Sequence, residues 1–196
     1  MKFSLVPILL LAISHCSSTS TGAPPGQGPD ASLVDATVAH PDSGSFQLTS
    51  GAFTDNGTMS AEYTCDSEAG PGHNPPLAWS GAPAATNQYA LLMTTVAKDG
   101  LKWNWVVYGI SAATTHLDAN AMAVGTAGIT SDGPLLAYSP PCSAGPGLKT
   151  YTFTLYALSG APSLPSPANQ VTGAVLTSAI ASLTIATTAI TAGYTR

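Results

Sequence analysis

The segment Tyr151-Thr152-Phe153-Thr154-Leu155-Tyr156 alternates with a period of two, which puts Tyr151, Phe153 and Leu155 on one face of an extended strand. A strand with one apolar face is stable only when a second layer covers it. Other short runs of strand-formers surround this one: Phe46-Gln47-Leu48, Tyr89 to Thr95, Trp103 to Ile110, and Lys149 to Leu158, which contains the alternating segment itself. Trp105-Val106-Val107-Tyr108 is continuously apolar, as expected of a central strand covered on both faces. Trp103 and Trp105 straddle Asn104, so strict alternation predicts both rings on the same face, as core or pocket wall. Asp55-Asn56-Gly57 and Ser80-Gly81-Ala82-Pro83 are turn signals, and Asn56-Gly57-Thr58, formally a glycosylation acceptor, reads as a hairpin turn. Ala174, Ile180 and Ala181 are near helical spacing and predict one helix from about Asn169 to Ser182. Strands followed by a single late helix describe a mostly β chain, a sandwich with a C-terminal helical segment, and no internal repeat is present.

The charge pattern excludes several functions. Charged residues make up 8% of the chain, against roughly 25% in an average soluble domain, and the formal net charge is −5. Beyond Lys2 the cations are Lys98, Lys102, Lys149 and Arg196, scattered along the sequence. Scattered cations do not form the footprint that nucleic acid or an anionic membrane surface requires. His73 and His116 are the histidines of the folded region, and no zinc-like His/Cys spacing accompanies them. His73 reads as a loop residue despite Asp66 and Glu68 nearby, and His116 as a surface residue after a strand. Gly109-Ile110-Ser111-Ala112-Ala113 lacks the closing glycine of a nucleophile elbow. With no nucleophile–base pair, phosphate loop, metal site or cofactor motif, the expectation is a protein that is not an enzyme.

The N-terminus predicts export. Met1-Lys2 is a short positive region, and Phe3 to Ile13 is an apolar run of signal-peptide length, too short to span a bilayer. Ile13-Ser14-His15-Cys16 resembles the site where a bacterial lipoprotein is lipidated on Cys16, although His15 stands where a small residue is usual. Cleavage nearby, for example after Ala23, would instead release a soluble protein. Ser17 to Ser43 is rich in Ser, Thr, Gly and Pro and predicts a flexible spacer with a reach of roughly 30 Å. The expected organisation is therefore a signal segment over 1–16, a spacer over 17–43 and one folded domain over 44–196. The expected location is periplasmic or on the outer membrane, with secretion as the alternative and a lipid anchor as the sole membrane attachment.

Six segments, in order, resemble the phosphatidylethanolamine-binding protein family, in particular its bacterial Raf kinase inhibitor-like branch. Tyr63-Thr64-Cys65-Asp66 with Asn74-Pro75-Pro76-Leu77-Ala78-Trp79 is similar to "Y-T-C-D-G … S-P-P-L-x-W", and Ser80 to Met93 continues it with matching spacing. Trp105-Val106-Val107-Tyr108-Gly109-Ile110 resembles "H-W-V-V-x-N-I", and Tyr138-Ser139-Pro140-Pro141-Cys142 resembles "Y-x-G-P-C". Tyr151 to Leu158 resembles "Y-x-F-x-L-Y-A-L", and Ala192-Gly193-Tyr194-Thr195-Arg196 resembles the family's closing "x-G-x-Y-x-R". The resemblance implies an antiparallel β-sandwich with a C-terminal helix and a small pocket for phosphate-like anions such as a phospholipid headgroup.

Three motifs build that pocket in the family, and this chain departs from all of them. The "D-P-D-A-P" motif falls on Thr95-Val96-Ala97-Lys98-Asp99, so its acidic positions become Thr95 and Ala97. The His of "H-W-V-V" becomes Asn104, and the His and Arg of "H-R-Y" become Lys149 and Thr150, while Tyr138, Pro141 and Tyr151 match. Two readings stay open. In one, anion binding survives in altered form, with Lys149 and Asn104 as donors beside Tyr151. In the other the pocket is vestigial, Lys149 pointing to solvent and Asn104 satisfying backbone. Cys65 and Cys142 lie on loops that flank the family's pocket; they form either a disulfide, which leaves Cys16 free for lipid, or two buried thiols. The expected function is an exported binding protein with a degenerate anion or headgroup pocket. The alternative is an inhibitor of an envelope protein, such as a protease, acting through its surface.

Overall fold

The computed structural model describes residues 44–121, 124–133, 136–142 and 145–196. The expected signal segment, the expected lipidation at Cys16 and the expected spacer lie outside the described residues. Among the described residues nine strands form two sheets: β1 (Gln47–Thr49), β2 (Gly57–Thr58), β3 (Leu77–Ser80), β4 (Gln88–Ala97), β5 (Gly100–Ser111), β6 (His116–Leu117), β7 (Thr126–Ala127), β8 (Lys149–Leu158) and β9 (Thr184–Tyr194). The small sheet has the order β1-β3-β6 and the large one β2-β9-β8-β4-β5-β7. All neighbours run antiparallel except β2, which pairs parallel with β9. The helix α1 (Gly173–Ile180) packs on the far side of the large sheet.

The alternation in β8 does what its pattern predicts. Phe153 and Leu155 are fully buried between the sheets with Leu91, Met93, Trp79 and Tyr89. The opposite face of the large sheet presents Ala90, Leu92 and Val106, which meet Leu176 and Ile180 of α1. The result is a three-layer molecule: small sheet, large sheet, helix. The apolar run in β5 is covered on both faces, with Trp105 and Val107 toward the small sheet and Val106 toward the helix. It lies one strand in from the edge, beside the two-residue β7.

Three expectations need correction. The helix is shorter than predicted and no longer ends the chain. Thr172 caps it by accepting a hydrogen bond from the Val175 N–H, and a short 3-10 turn over Ala168–Gln170 precedes it. After α1 the chain makes β9, which lies between β2 and β8 inside the large sheet. Its run of Thr and Ala has little contrast between polar and apolar, so periodicity does not reveal it. Asn56 forms a turn at φ +59, with the Gly57 N–H donating to the Thr54 carbonyl, but the following strand joins β9 in parallel, so this is not a hairpin. Asp55 anchors the turn by accepting from the Thr191 N–H and hydroxyl. His116 is an exposed residue after β5, as expected, but it also opens the short strand β6, which the sequence pattern does not reveal.

The third correction matters most for the site. Trp103 and Trp105 lie on opposite faces: Trp105 is in the inter-sheet core, whereas Trp103 packs with the helix layer. The pairing moves from Met93↔Trp105 to Thr94↔Trp103, so Asn104 is an extra residue, a β-bulge. A bulge puts two residues against one on the partner strand and resets the alternation. The Trp103 ring then sits against Gly173, where an added Cβ would lie 2.0 Å from Trp103 Cδ1. That contact seats the N-terminus of α1 on the sheet.

Candidate functional site

The sandwich is filled in its middle and open at one end. Beyond Met93 and Phe153 the same face of β4 and β8 continues with Thr95, Ala97, Tyr151 and Lys149, joined by the register Thr95↔Tyr151. A hollow of about 570 Å³ lies over them, also lined by Lys98, Lys102, Asn104, Asp132 and Ser139. The bulge explains how Asn104 reaches it, since the inserted residue is turned toward the hollow next to the inward-facing Trp105.

Each polar group in this hollow has a definite status. The Thr95 hydroxyl donates to the Thr150 carbonyl at 2.8 Å and is engaged in joining β4 to β8. Asn104 is 6% exposed, and its side-chain Oδ1 has no hydrogen-bond partner. Its main-chain carbonyl instead accepts from the Ser139 N–H at 2.7 Å, which pins the 139–142 segment as one wall. The Asn104 side-chain oxygen accordingly accepts no backbone hydrogen bond. Lys149 is half-buried and lines the hollow rather than projecting into solvent. Lys102 pairs with Asp99 at 2.5 Å across the β4–β5 turn, whereas no carboxylate among the described residues pairs with Lys98 or Lys149. Burial raises the Tyr151 phenol above its usual pKa, with Tyr194 and Asp132 adding to the shift and the Cys142 backbone opposing it. At neutral pH Tyr151 is therefore a neutral hydrogen-bonding group.

The cations are scattered in sequence but not in space. Of the five in the chain, Lys98, Lys102 and Lys149 line this one hollow. Arg196 lies at its edge, 3.2 Å from Asp66 and 3.4 Å from the sulfur of Cys142, itself a lining residue. Lys98, Lys102, Asp132 and Ser139 are lining residues that sequence reasoning missed. The β4–β5 turn brings the first two in, and the Asn104–Ser139 contact the others; no local pattern in the sequence signals either.

Two expected site residues lie elsewhere. Tyr138 lines a smaller neighbouring hollow of about 220 Å³ with His73 and Trp105. Its hydroxyl donates to the Tyr63 carbonyl at 2.9 Å, and its ring meets Trp105 edge-on. Burial, with Tyr151 nearby, pushes its phenol up. Pro141 is buried and does not line the large hollow; its carbonyl accepts from the Cys65 N–H. Both residues hold the wall. Cys65 and Cys142 form a disulfide with Cα atoms 5.2 Å apart, tying that wall to the 64–66 loop. Among the described residues no group of His, Cys, Asp and Glu side chains is placed to hold a metal, and His73 instead contacts Tyr63 and Glu62.

A family model described as phosphatidylethanolamine-binding protein matches residues 49–195. The chain belongs to the phosphatidylethanolamine-binding protein family. A UPF0098 protein of Methanothermobacter thermautotrophicus is 33% identical over 119 residues, covering 58% of this chain and 76% of that protein. A Mycobacterium tuberculosis protein that carries the lipoprotein name LppC is 32% identical over 171 residues, covering 85% of this chain and 83% of its own. Among solved structures, a Chlamydia trachomatis protein described as a homologue of this family is similar with a TM-score of 0.69 at 29% identity, covering 77% of this chain and 97% of that one. Escherichia coli YbcL, a member of the same family, gives 0.68 at 23% identity over 77% and 98%, which speaks for the fold alone. In this family member, five of the seven positions expected at the pocket, namely Thr95, Ala97, Asn104, Lys149 and Tyr151, surround one hollow.

Proposed function

We propose that this protein is an exported binding protein, not an enzyme, that holds a small anion in the hollow at the open end of its large sheet. Lys149 and Lys98 supply the charge, and Tyr151 and the Asn104 amide supply neutral hydrogen-bonding groups. The observation that carries this reading is the concentration of cations: in a chain of net charge −5 with five cations, three line a single hollow, two of them without a carboxylate partner among the described residues. A lysine ammonium keeps its charge at neutral pH, so the anion is held by charge-assisted hydrogen bonds. Export is supported by the signal-like start of the sequence and by similarity to a protein carrying a lipoprotein name.

Calorimetric titration with inorganic phosphate tests the reading. The unaltered chain is expected to bind, and Lys149→Ala with Lys98→Ala to lose at least about tenfold in affinity, the weight of a charge-assisted hydrogen bond or more. Equal phosphate affinity in the double variant would remove the lysines from the site.

A further inference from the structure

The hollow is not uniformly positive. Asp132 lines it together with the three lysines, and both Asp132 and Lys98 are solvent-exposed at the hollow. Its position is fixed from below: Oδ2 accepts the Ser139 hydroxyl hydrogen, Ser139 is 6% exposed, and the Ser139 N–H is bonded to the Asn104 carbonyl. No cation among the described residues makes an ion pair with Asp132, because Lys102 is taken by Asp99 and neither Lys98 nor Lys149 reaches a carboxylate. A separate acceptor, the buried Oδ1 of Asn104, has no hydrogen-bond donor. Two free ammonium groups and an unpaired carboxylate thus share one cavity without neutralising each other.

Such a lining discriminates among anions by whether they carry a hydrogen. An oxyanion with lone pairs alone, such as sulfate or a phosphodiester, satisfies the lysines but faces Asp132 oxygen to oxygen, with no proton between them. Hydrogen phosphate and a partly protonated phosphomonoester present oxygens to Lys98 and Lys149 and an O–H to the Asp132 carboxylate. The contact that repels sulfate becomes a short charge-assisted hydrogen bond. Building on the anion reading above, we propose that the hollow selects an oxyanion that carries its own hydrogen, a free hydrogen phosphate or the singly protonated form of a phosphomonoester, over sulfate and phosphodiesters. This assigns Asp132 as the specificity-determining residue and Ser139 as the residue that positions it.

Titrations of the purified full chain at about pH 6, where a phosphomonoester keeps its hydrogen in about half of its molecules, with phosphate, sulfate, methyl phosphate and dimethyl phosphate test the proposal. Phosphate and methyl phosphate are expected to bind about tenfold more tightly than sulfate and dimethyl phosphate, the worth of one hydrogen bond to a charged group. In Asp132→Asn the amide oxygen still accepts from Ser139 while the new N–H₂ can donate to the ligand, so the preference should shrink to within about threefold, mainly through tighter sulfate binding. Equal binding of sulfate and phosphate by the unaltered chain, or a preference unchanged in Asp132→Asn, overturns the selection while leaving the anion site standing. Failure of every anion to bind removes the anion site as well. Flotation with vesicles identifies the source of the ligand. Retention on phosphatidate, a lipid monoester, but not on phosphatidylglycerol, a diester, supports the proposal with a lipid source. Binding to the free monoesters alone supports it with a soluble source. Equal retention on both vesicles overturns it.

Discussion

Strands β4 and β8 run side by side from a closed region to an open one, and the contrast between the two shows where this fold keeps its function. In the closed region Leu91, Met93, Phe153 and Leu155 are all 0% exposed, pressed between the sheets. A few residues further along the same face stand Thr95, Ala97, Tyr151 and Lys149, and the layer above them is a hollow. The backbone register is continuous through both regions. What changes is the covering layer, and with it the role of the side chains. Alternation that builds a core where a second sheet lies above builds a binding surface where that sheet ends. In the open region the wall is held by the Cys65–Cys142 disulfide, the Asn104–Ser139 backbone hydrogen bond and the Tyr138 hydroxyl on Tyr63, besides the Tyr138 ring packed on Trp105.

Substitutions along one strand can break this contrast. Phe153→Ala is expected to cost about 3–5 kcal/mol, since a buried aromatic leaves a cavity that a two-sheet core cannot close. Urea unfolding measures it, and a loss below about 1 kcal/mol would mean that the closed region is not the stabilising one. Removing the disulfide as Cys65→Ser with Cys142→Ser should cost about 4 kcal/mol in the chain-entropy picture, for cysteines 77 residues apart in sequence. If the disulfide holds the wall of the open region, this pair of changes should also weaken phosphate binding, whereas Phe153→Ala should leave binding intact wherever the protein remains folded. Lys149→Ala should have the smallest effect on stability, within about 0.5 kcal/mol, while lowering phosphate affinity. A Lys149 variant as unstable as the Phe153 variant would erase the distinction between the regions.

The closed region was the more legible of the two in the sequence. Tyr151, Phe153 and Leu155 announce their strand because large apolar groups alternate with threonine, and the predicted bounds Lys149 to Leu158 are those of β8. Strand β9 was hidden because alanine and threonine differ little in size or polarity, although it fills an interior place in the large sheet. The error over Trp103 and Trp105 has one cause: period-two reasoning assumes an unbroken ladder, and the bulge at Asn104 breaks it. In the open region the family resemblance located Asn104, Lys149, Tyr151 and the cysteines. It did not supply Lys98, Lys102, Asp132 or Ser139, which depend on a turn and on a contact between residues 35 apart. Nor did it show that Tyr138 and Pro141 support the wall rather than line the large hollow, since a matching motif carries residue type and not orientation.

The central claim is that the open end holds an anion through residues of β4, β5 and β8 and the adjoining wall. Chemical-shift mapping during a phosphate titration of the isotope-labelled chain tests it most directly. The account predicts saturable shifts confined to residues 95–104, 132, 139–142 and 149–151, with the strand interior from Leu91 to Met93 and Phe153 to Leu155 unmoved. Shifts spread over the surface without saturation, or centred on another part of the molecule, would contradict it.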